Sequence, residues 1–352
     1  MVRLLVCGGL GFIGSNFVRF MLSQDPEINL VNLDKMGVGA NPENLKDEEG
    51  LDRYQFVKGD ILSPQLVERI VREVDAVVNF AAETHVDRSI ADPEPFLRSN
   101  ILGTFTLLEA IRRSNEDIDY VQISTDEIYG DILEGSFDEL DRLNPSNPYS
   151  ATKASSDMLC LAYNRTYGLG VKVTRCTNNF GPYQFPEKLV PKTIIRAAEN
   201  LQIPVYGNGA NVRDWIYVKD HCEAVSSVLD KGKRGEIYNV SSGSELPNVV
   251  VVKEILKLLD RPEDLITFVE DRPGHDVRYS LDSSKIRSEL GWKPGYTFSS
   301  ALEETVKWYV ENESWWRPLA TEEILHPTPW KVRGDLKESR SGVNAEDSQE
   351  EV

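Results

Sequence analysis

Residues able to do chemistry stand in four places along the chain. A glycine-spaced run, Gly8-Gly9-Leu10-Gly11-Phe12-Ile13-Gly14, directly follows an apolar stretch, and Asp34 lies 20 residues past its last glycine. Ser124-Thr125-Asp126-Glu127 closes another apolar stretch, and Tyr149 and Lys153 are four residues apart. A tyrosine with an ordinary pKa of about 10 is a poor base at neutral pH. A neighbouring ammonium and a cationic nicotinamide both favour phenolate, which predicts a Tyr149 pKa brought down toward the working range. Thr125 could donate to, or accept from, the same substrate oxygen. Such a trio would oxidise a secondary alcohol while hydride passes to a nicotinamide. The paired acids would extend that reaction, one staying protonated while the other acts as a base. Once a sugar C4 is a ketone, its C5 hydrogen is acidified. A base can then remove it while an acid protonates the departing C6 hydroxyl.

Each feature also has a plainer reading. Tyr-x-x-x-Lys arises often by chance, as a packed tyrosine beside a snorkelling lysine, and Asp126-Glu127 could be a turn acid followed by a helix-start acid. Chain order decides between them, because the elements that must position these groups are legible. Strand-like runs are predicted at 4–7, 30–33, 54–57, 76–80, 120–123 and 171–174, with helical spacing over 12–22, 66–74, 104–111 and 155–163. Strands alternating with helices read as βαβ units in a parallel sheet, with ligands beyond the carboxyl ends of the strands. The glycine run then opens the first helix in the context a dinucleotide fingerprint requires. Gly8 allows the tight turn, Gly11 the approach of the pyrophosphate and Gly14 close helix–strand packing. Asp34 would hold the adenosine ribose, and its carboxylate would repel a 2′-phosphate, favouring NAD over NADP. Asp60-Ile61 would meet the adenine, with capping of the helix at Pro64 by Ser63 as the rival role of that loop.

The expected fold is α/β: a doubly wound Rossmann sheet over 1–180 carrying the cofactor and catalytic residues, and a smaller mixed α/β segment over 181–330. That segment would mainly bind the substrate, with some of its chain returning to the first domain. Helices are predicted at 189–200, 221–230, 249–259 and 301–310. The Val249–Val252 run, strand-like by itself, is assigned to a helix because Pro247-Asn248 precedes it and Ile255, Leu256, Leu258 and Leu259 follow. Residues 335–352 read as a disordered acidic tail. The 352 residues carry 39 Lys plus Arg against 57 Asp plus Glu, a net charge of -18, which argues against nucleic acid as a partner. No stretch approaches the roughly 18 apolar residues of a membrane span. Cys7, Cys160, Cys176 and Cys222 are far apart and lack CxxC pairing, so neither zinc nor a disulfide scaffold is indicated. A cytoplasmic protein without a metal centre is expected.

Seven segments together resemble the dTDP-glucose 4,6-dehydratases of the extended short-chain dehydrogenase superfamily. They are 8–14, with the GxxGxxG spacing of that type, Ala81–Ser89, Ser124–Gly130, Pro148–Asp157, Asn178–Leu189, Arg213–Val218 and Asp271–Asp276. The resemblance runs from residue 1 to about Trp316. It implies that Tyr149, supported by Lys153, is the base for C4 oxidation, Asp126 the acid at C6 and Glu127 the base at C5. NAD would be tightly bound and recycled, contacted by Gly8, Gly11 to Gly14, Asp34, Lys35, Asp60, Ile61, Phe80, Ala81, Ala82, Thr84, Ser99 and Asn179 besides Tyr149 and Lys153. Thr84, Thr125 and Asn178 would touch the hexose. Arg213, Asn248, Arg272 and His275 would hold the diphosphate and its ribose, and Lys188, Leu189 and Pro204-Val205-Tyr206 would frame the thymine. A homodimer through a helix bundle and a place in deoxysugar synthesis, such as that of L-rhamnose, are implied likewise. Thr84 replaces an expected Ser, Phe180 an expected Tyr, and the 35–39 loop lacks a tyrosine expected near the cofactor. His326-Pro327-Thr328-Pro329-Trp330 lies past the resemblance and reads as a packed strap. The nearest rival is a nucleotide-sugar 4-epimerase or decarboxylase, or a dehydratase acting on UDP-glucose; a silent dinucleotide-binding regulator would have no need of all five catalytic groups.

Overall fold

A computed structural model of the chain describes residues 2–114 and 117–331. The tail expected over 335–352 lies outside the described residues. Seven parallel strands form the main sheet in the order β10-β6-β5-β4-β1-β2-β3. These are β1 (Arg3–Cys7), β2 (Asn29–Asp34), β3 (Tyr54–Lys58), β4 (Ala76–Asn79), β5 (Asp119–Thr125), β6 (Gly170–Cys176) and β10 (Ile237–Val240). The chain adds strands to one side of β1 up to β3 and to the other side from β4 on, and the crevice of a doubly wound sheet opens at such a switch point.

All but the largely exposed edge strand β3 are buried on both faces, which is why these strands read as near-continuous apolar runs. Alternate residues of β1 point opposite ways. Leu4 and Val6 join Phe17, Val18, Val225 and Val228 from the helices Phe12–Gln24 and Val218–Lys231. Leu5 and Cys7 join Val67, Val71, Leu107, Leu108 and Cys160 from the helices Pro64–Val71, Gly103–Ser114 and Pro148–Tyr167.

Past residue 180 the chain divides. The helix Val218–Lys231 and β10 return to the main sheet, where β10 pairs with β6 from Ile237–Val173 to Val240–Cys176. The remainder builds two small sheets beyond the strands' carboxyl ends. β7 (Asn178–Phe180) runs parallel to β9 (Val212–Tyr217), which pairs antiparallel with β11 (Glu245–Pro247). β8 (Ile203–Tyr206) runs parallel to β12 (Ile266–Val269). The helices Leu189–Ala198 and Asn248–Leu258 pack over this second pair, around Val205, Val252 and Leu256. Val249–Val252 is thus helical, its Val251 and Val252 buried.

Candidate active site

The first helix begins at the carboxyl end of β1 with Gly11 as its N-cap and no side-chain cap, leaving its first N–H groups without intrahelical acceptors. Gly8 adopts φ +79°, and a Cβ there would sit 2.6 Å from the Ala81 backbone nitrogen. A Cβ on Gly14 would lie 2.2 Å from the Gly8 carbonyl oxygen, whereas on Gly11 its nearest neighbour would be that same oxygen at 3.4 Å. Gly8 and Gly14 are thus closed in by backbone, while Gly11 faces an open cavity. Asp34 lines that cavity too, with one carboxylate oxygen accepting from Leu10 N (3.0 Å) and the other from Met36 N (2.7 Å). Lys35 reaches across to Glu83 (3.2 Å) and Ser99 (3.0 Å). Asp60 turns its own loop by accepting from Leu62 N (2.9 Å), and Ser63, though it precedes the helix at Pro64, makes no side-chain cap. Every residue expected at the cofactor, from Gly8 to Asn179, lines this one cavity, as do Thr84, Thr125, Asp126, Glu127, Tyr149 and Lys153. An uncapped helix N-terminus with an open glycine in front of it suits a pyrophosphate, and a buried carboxylate at the end of the neighbouring strand suits a ribose. These residues fit NAD.

The catalytic groups converge from two elements. Asn147 caps the helix Pro148–Tyr167 through a capping box with Ser150, with Pro148 in the first turn and Gly168 left-handed at its end. One turn apart on that helix, Tyr149 and Lys153 are both buried. Lys153 Nζ donates to the Ile123 carbonyl of β5 (2.5 Å). At the end of β5, Thr125 caps the short turn Asp126–Ile128, its hydroxyl accepting from Glu127 N (3.3 Å) and donating to Asp126 Oδ1 (3.1 Å). Tyr149 and Thr125 line the same cavity.

The expected depression of Tyr149 is not what the protein alone produces. Burial, then Glu127, raises its pKa well above the ordinary value, with the Thr125 hydroxyl acting the other way. Lys153 is itself pulled down by burial. The acids are raised as well, but unequally. Asp126 is pushed well up by burial and then by Glu127, favouring its neutral form. Glu127 is raised by burial, against which Arg272, Arg213 and Lys188 all favour the anion. Asp126 Oδ2 and Glu127 Oε2 are both buried without a hydrogen-bond partner.

A second cavity meets the first at Glu127, Asn178, Lys188 and Leu189. It holds Pro204, Val205, Tyr206, Arg213, Asn248, Arg272 and His275. Arg213 donates to the carbonyls of Val212 (2.7 Å) and Asp276 (2.8 Å) and lies 4.2 Å from the Tyr279 ring centroid. Arg272 Nε, Asn178 Oδ1 and Asn248 Oδ1 are buried here without partners, the pattern of groups reserved for a ligand. Lys188 Nζ donates to the Thr84 carbonyl (2.9 Å). His275 Nδ1 meets Asp271 Oδ1 (2.5 Å), and burial beside Arg272 and Arg213 brings its pKa down to about 4.

Sequence reasoning missed two features. Asp87 is 1% exposed and holds Tyr206 OH (2.9 Å) and Arg272 NH1 (2.9 Å), tying two expected substrate residues together. It stands inside the quoted 81–89 run, which was the available signal. Leu97–Leu102 forms a π-helical segment that sets Ser99 toward Lys35 and Asn100 against Glu83 and Thr152; such bulges cluster at functional sites.

This geometry agrees with what known proteins resemble the chain. Residues 5–305 match the family described as GDP-mannose 4,6 dehydratase. The dTDP-glucose 4,6-dehydratase of Streptomyces niveus is 48% identical over 93% of this chain and 98% of its own. The crystal structure of DesIV, a dTDP-glucose 4,6-dehydratase from Streptomyces venezuelae with NAD and TYD bound, superposes with a TM-score of 0.88 at 46% identity. It covers 90% of this chain and 100% of that one. A UDP-glucose 4-epimerase from Thermotoga maritima with UDP-glucose shares the fold at a TM-score of 0.82 but only 26% identity, over 89% of this chain and 100% of that one. With nearly the full length matched at almost half identity, the chain belongs to the dTDP-glucose 4,6-dehydratases of the extended short-chain dehydrogenase superfamily.

Proposed function

We propose that the chain converts dTDP-glucose to dTDP-4-keto-6-deoxyglucose as an NAD-dependent hydro-lyase of deoxysugar biosynthesis, with its site residues in the following roles. NAD held in the first cavity would supply the hydride acceptor for C4 and, reduced, the hydride donor for C6, so that the overall reaction is redox-neutral. Tyr149, sharing the cavity with Thr125 and one helical turn from the Lys153 ammonium, takes the C4 hydroxyl proton. Glu127, facing three cations, takes the C5 proton and, once C6 has received the hydride, returns a proton to C5. Asp126, held neutral by burial, gives its proton to the C6 hydroxyl, which leaves as water. The diphosphate lies toward Arg213 and Arg272, and the base toward Tyr206.

The observation that carries this reading is the buried acid pair with divided surroundings at the junction of the two cavities. A 4-epimerase needs the tyrosine, lysine and hydroxyl but no C5 base. The test is incubation of purified chain with dTDP-glucose and, separately, UDP-glucose. The 4-keto-6-deoxy product is expected from dTDP-glucose, the methyl of thymine contributing about 1–3 kcal/mol of preference. A 4-epimer as the product, or a preference for UDP-glucose, would overturn it. Four free, buried cysteines suit a reducing, cytoplasmic setting. Leu97, Leu102, Phe105 and Met158, apolar and exposed on neighbouring helical segments, suit a homodimer interface.

A further inference from the structure

The chain past residue 305, where the family match ends, does not trail away from the substrate cavity. Residues 321–331 lie as a strap against the three segments that build its outer end. Lys192, in the helix Leu189–Ala198 and itself lining the cavity, donates to the His326 carbonyl (3.2 Å). Arg196, one turn on, donates to the Leu325 carbonyl (3.0 Å). Thr328 N returns to His326 Nδ1 (3.1 Å), fixing the bend that carries the strap inward. Lys331 pairs with Glu270 (2.5 Å), next to the loop that carries Arg272 and His275. Between these ties Trp330 is buried at 8% exposure, its ring edge-on to Tyr206 with centroids 4.9 Å apart.

Tyr206 has few other restraints. Its hydroxyl is held by Asp87, and the His275 ring stands 6.2 Å away. A nucleoside diphosphate with its sugar at Glu127 and its phosphates at Arg213 and Arg272 would bring its base to Tyr206, the ring that Trp330 backs. We infer that Trp330 is a positioning residue for the base subsite: through Tyr206 the strap sets how tightly the nucleotide's pyrimidine is held, without touching the reacting carbons. This rests on the nucleotide-sugar reading above.

Trp330→Ala and Trp330→Phe in the full-length chain test it, with KM and kcat measured for dTDP-glucose and Kd for dTDP. Losing one aromatic pair predicts a KM and Kd raised about five- to tenfold in the alanine variant, with kcat within about twofold and bound NAD unchanged. The phenylalanine variant should recover most of the affinity. Arg196→Met, which cuts the strap's tie to Leu325 at a residue outside the cavity lining, should weaken dTDP binding in the same direction. Unchanged KM and Kd in Trp330→Ala would overturn the inference. So would a fall in kcat alone, or an alanine variant that does not fold, since Trp330 would then serve the fold. The unaltered chain is assayed alongside: its failure to turn over dTDP-glucose would instead sink the functional reading.

Discussion

Asp126 and Glu127 are adjacent in sequence, yet the fold treats them differently. Asp126 is walled in by burial and by Glu127, while Glu127 faces Arg272, Arg213 and Lys188. Glu127→Gln should therefore stop C5 deprotonation while leaving C4 oxidation intact. Reduced-nicotinamide absorbance should rise and persist on adding dTDP-glucose, and unimpaired product formation would remove Glu127 from the reaction. Asp126 makes a second prediction, on stability. In an unfolded chain an aspartate ionises near pH 3.9, about where the ordinary value lies, whereas in the fold its pKa is raised well above that. The folded state thus holds this proton more tightly. Its stabilising contribution is complete below about pH 4 and is lost as pH rises toward the raised folded value. Asp126→Asn escapes that loss, so its melting temperature should exceed that of the unaltered chain by a margin that widens from about pH 4 upward. A margin independent of pH would mean an ordinary carboxyl. At this scale the catalytic types were legible because they lie close in sequence and on recognisable elements. Asp87 was not, because its partners Tyr206 and Arg272 are 119 and 185 residues away. Burial, invisible in a sequence, raises Tyr149 in the protein without its cofactor, and the lowering expected beside a cationic nicotinamide belongs to the loaded enzyme.

The glycine loop shows how an element can be tested apart from its chemistry. Gly14 cannot take a side chain without moving the Gly8 carbonyl, 2.2 Å from where its Cβ would be, but Gly11 can. Gly14→Ala should destabilise the fold by about 1–3 kcal/mol, as overpacking does, and lose NAD with it. Gly11→Ala should keep its melting temperature in the cofactor-free state yet bind NAD at least about tenfold more weakly, by calorimetry. Equal NAD affinity in Gly11→Ala and the unaltered chain would place the pyrophosphate elsewhere. The first six strands and the helices around them were readable, all but the exposed edge strand β3 because each buries a continuous or periodic apolar run. The short strands were not. β10 is four residues long and finds its place only by pairing with β6, more than sixty residues earlier in the chain. β7, β9 and β11 have mixed polar composition, and long-range pairing, not local preference, makes them strands.

For the molecule as a whole, a net charge of -18 bounds the partners without locating the site. Two diphosphates can still be held, one by the backbone of the glycine loop and one by Arg213 and Arg272, so local placement outweighs the overall balance. Exposed Phe105 and Met158, 44% and 47% accessible, belong to the proposed subunit contact. Light scattering should give about twice the 39.7 kDa chain mass, and Phe105→Glu with Met158→Glu should halve it; an unaltered mass would move the contact to another face. The central claim concerns the reaction itself: C4 oxidation here serves to make C5 acidic. Turnover of unlabelled dTDP-glucose in heavy water, followed by NMR, measures this most directly. The expected product is the 4-keto-6-deoxy sugar with one deuterium at C5 and no accumulation of NADH. Recovery of a 4-epimerised sugar carrying its original C5 hydrogen would contradict it.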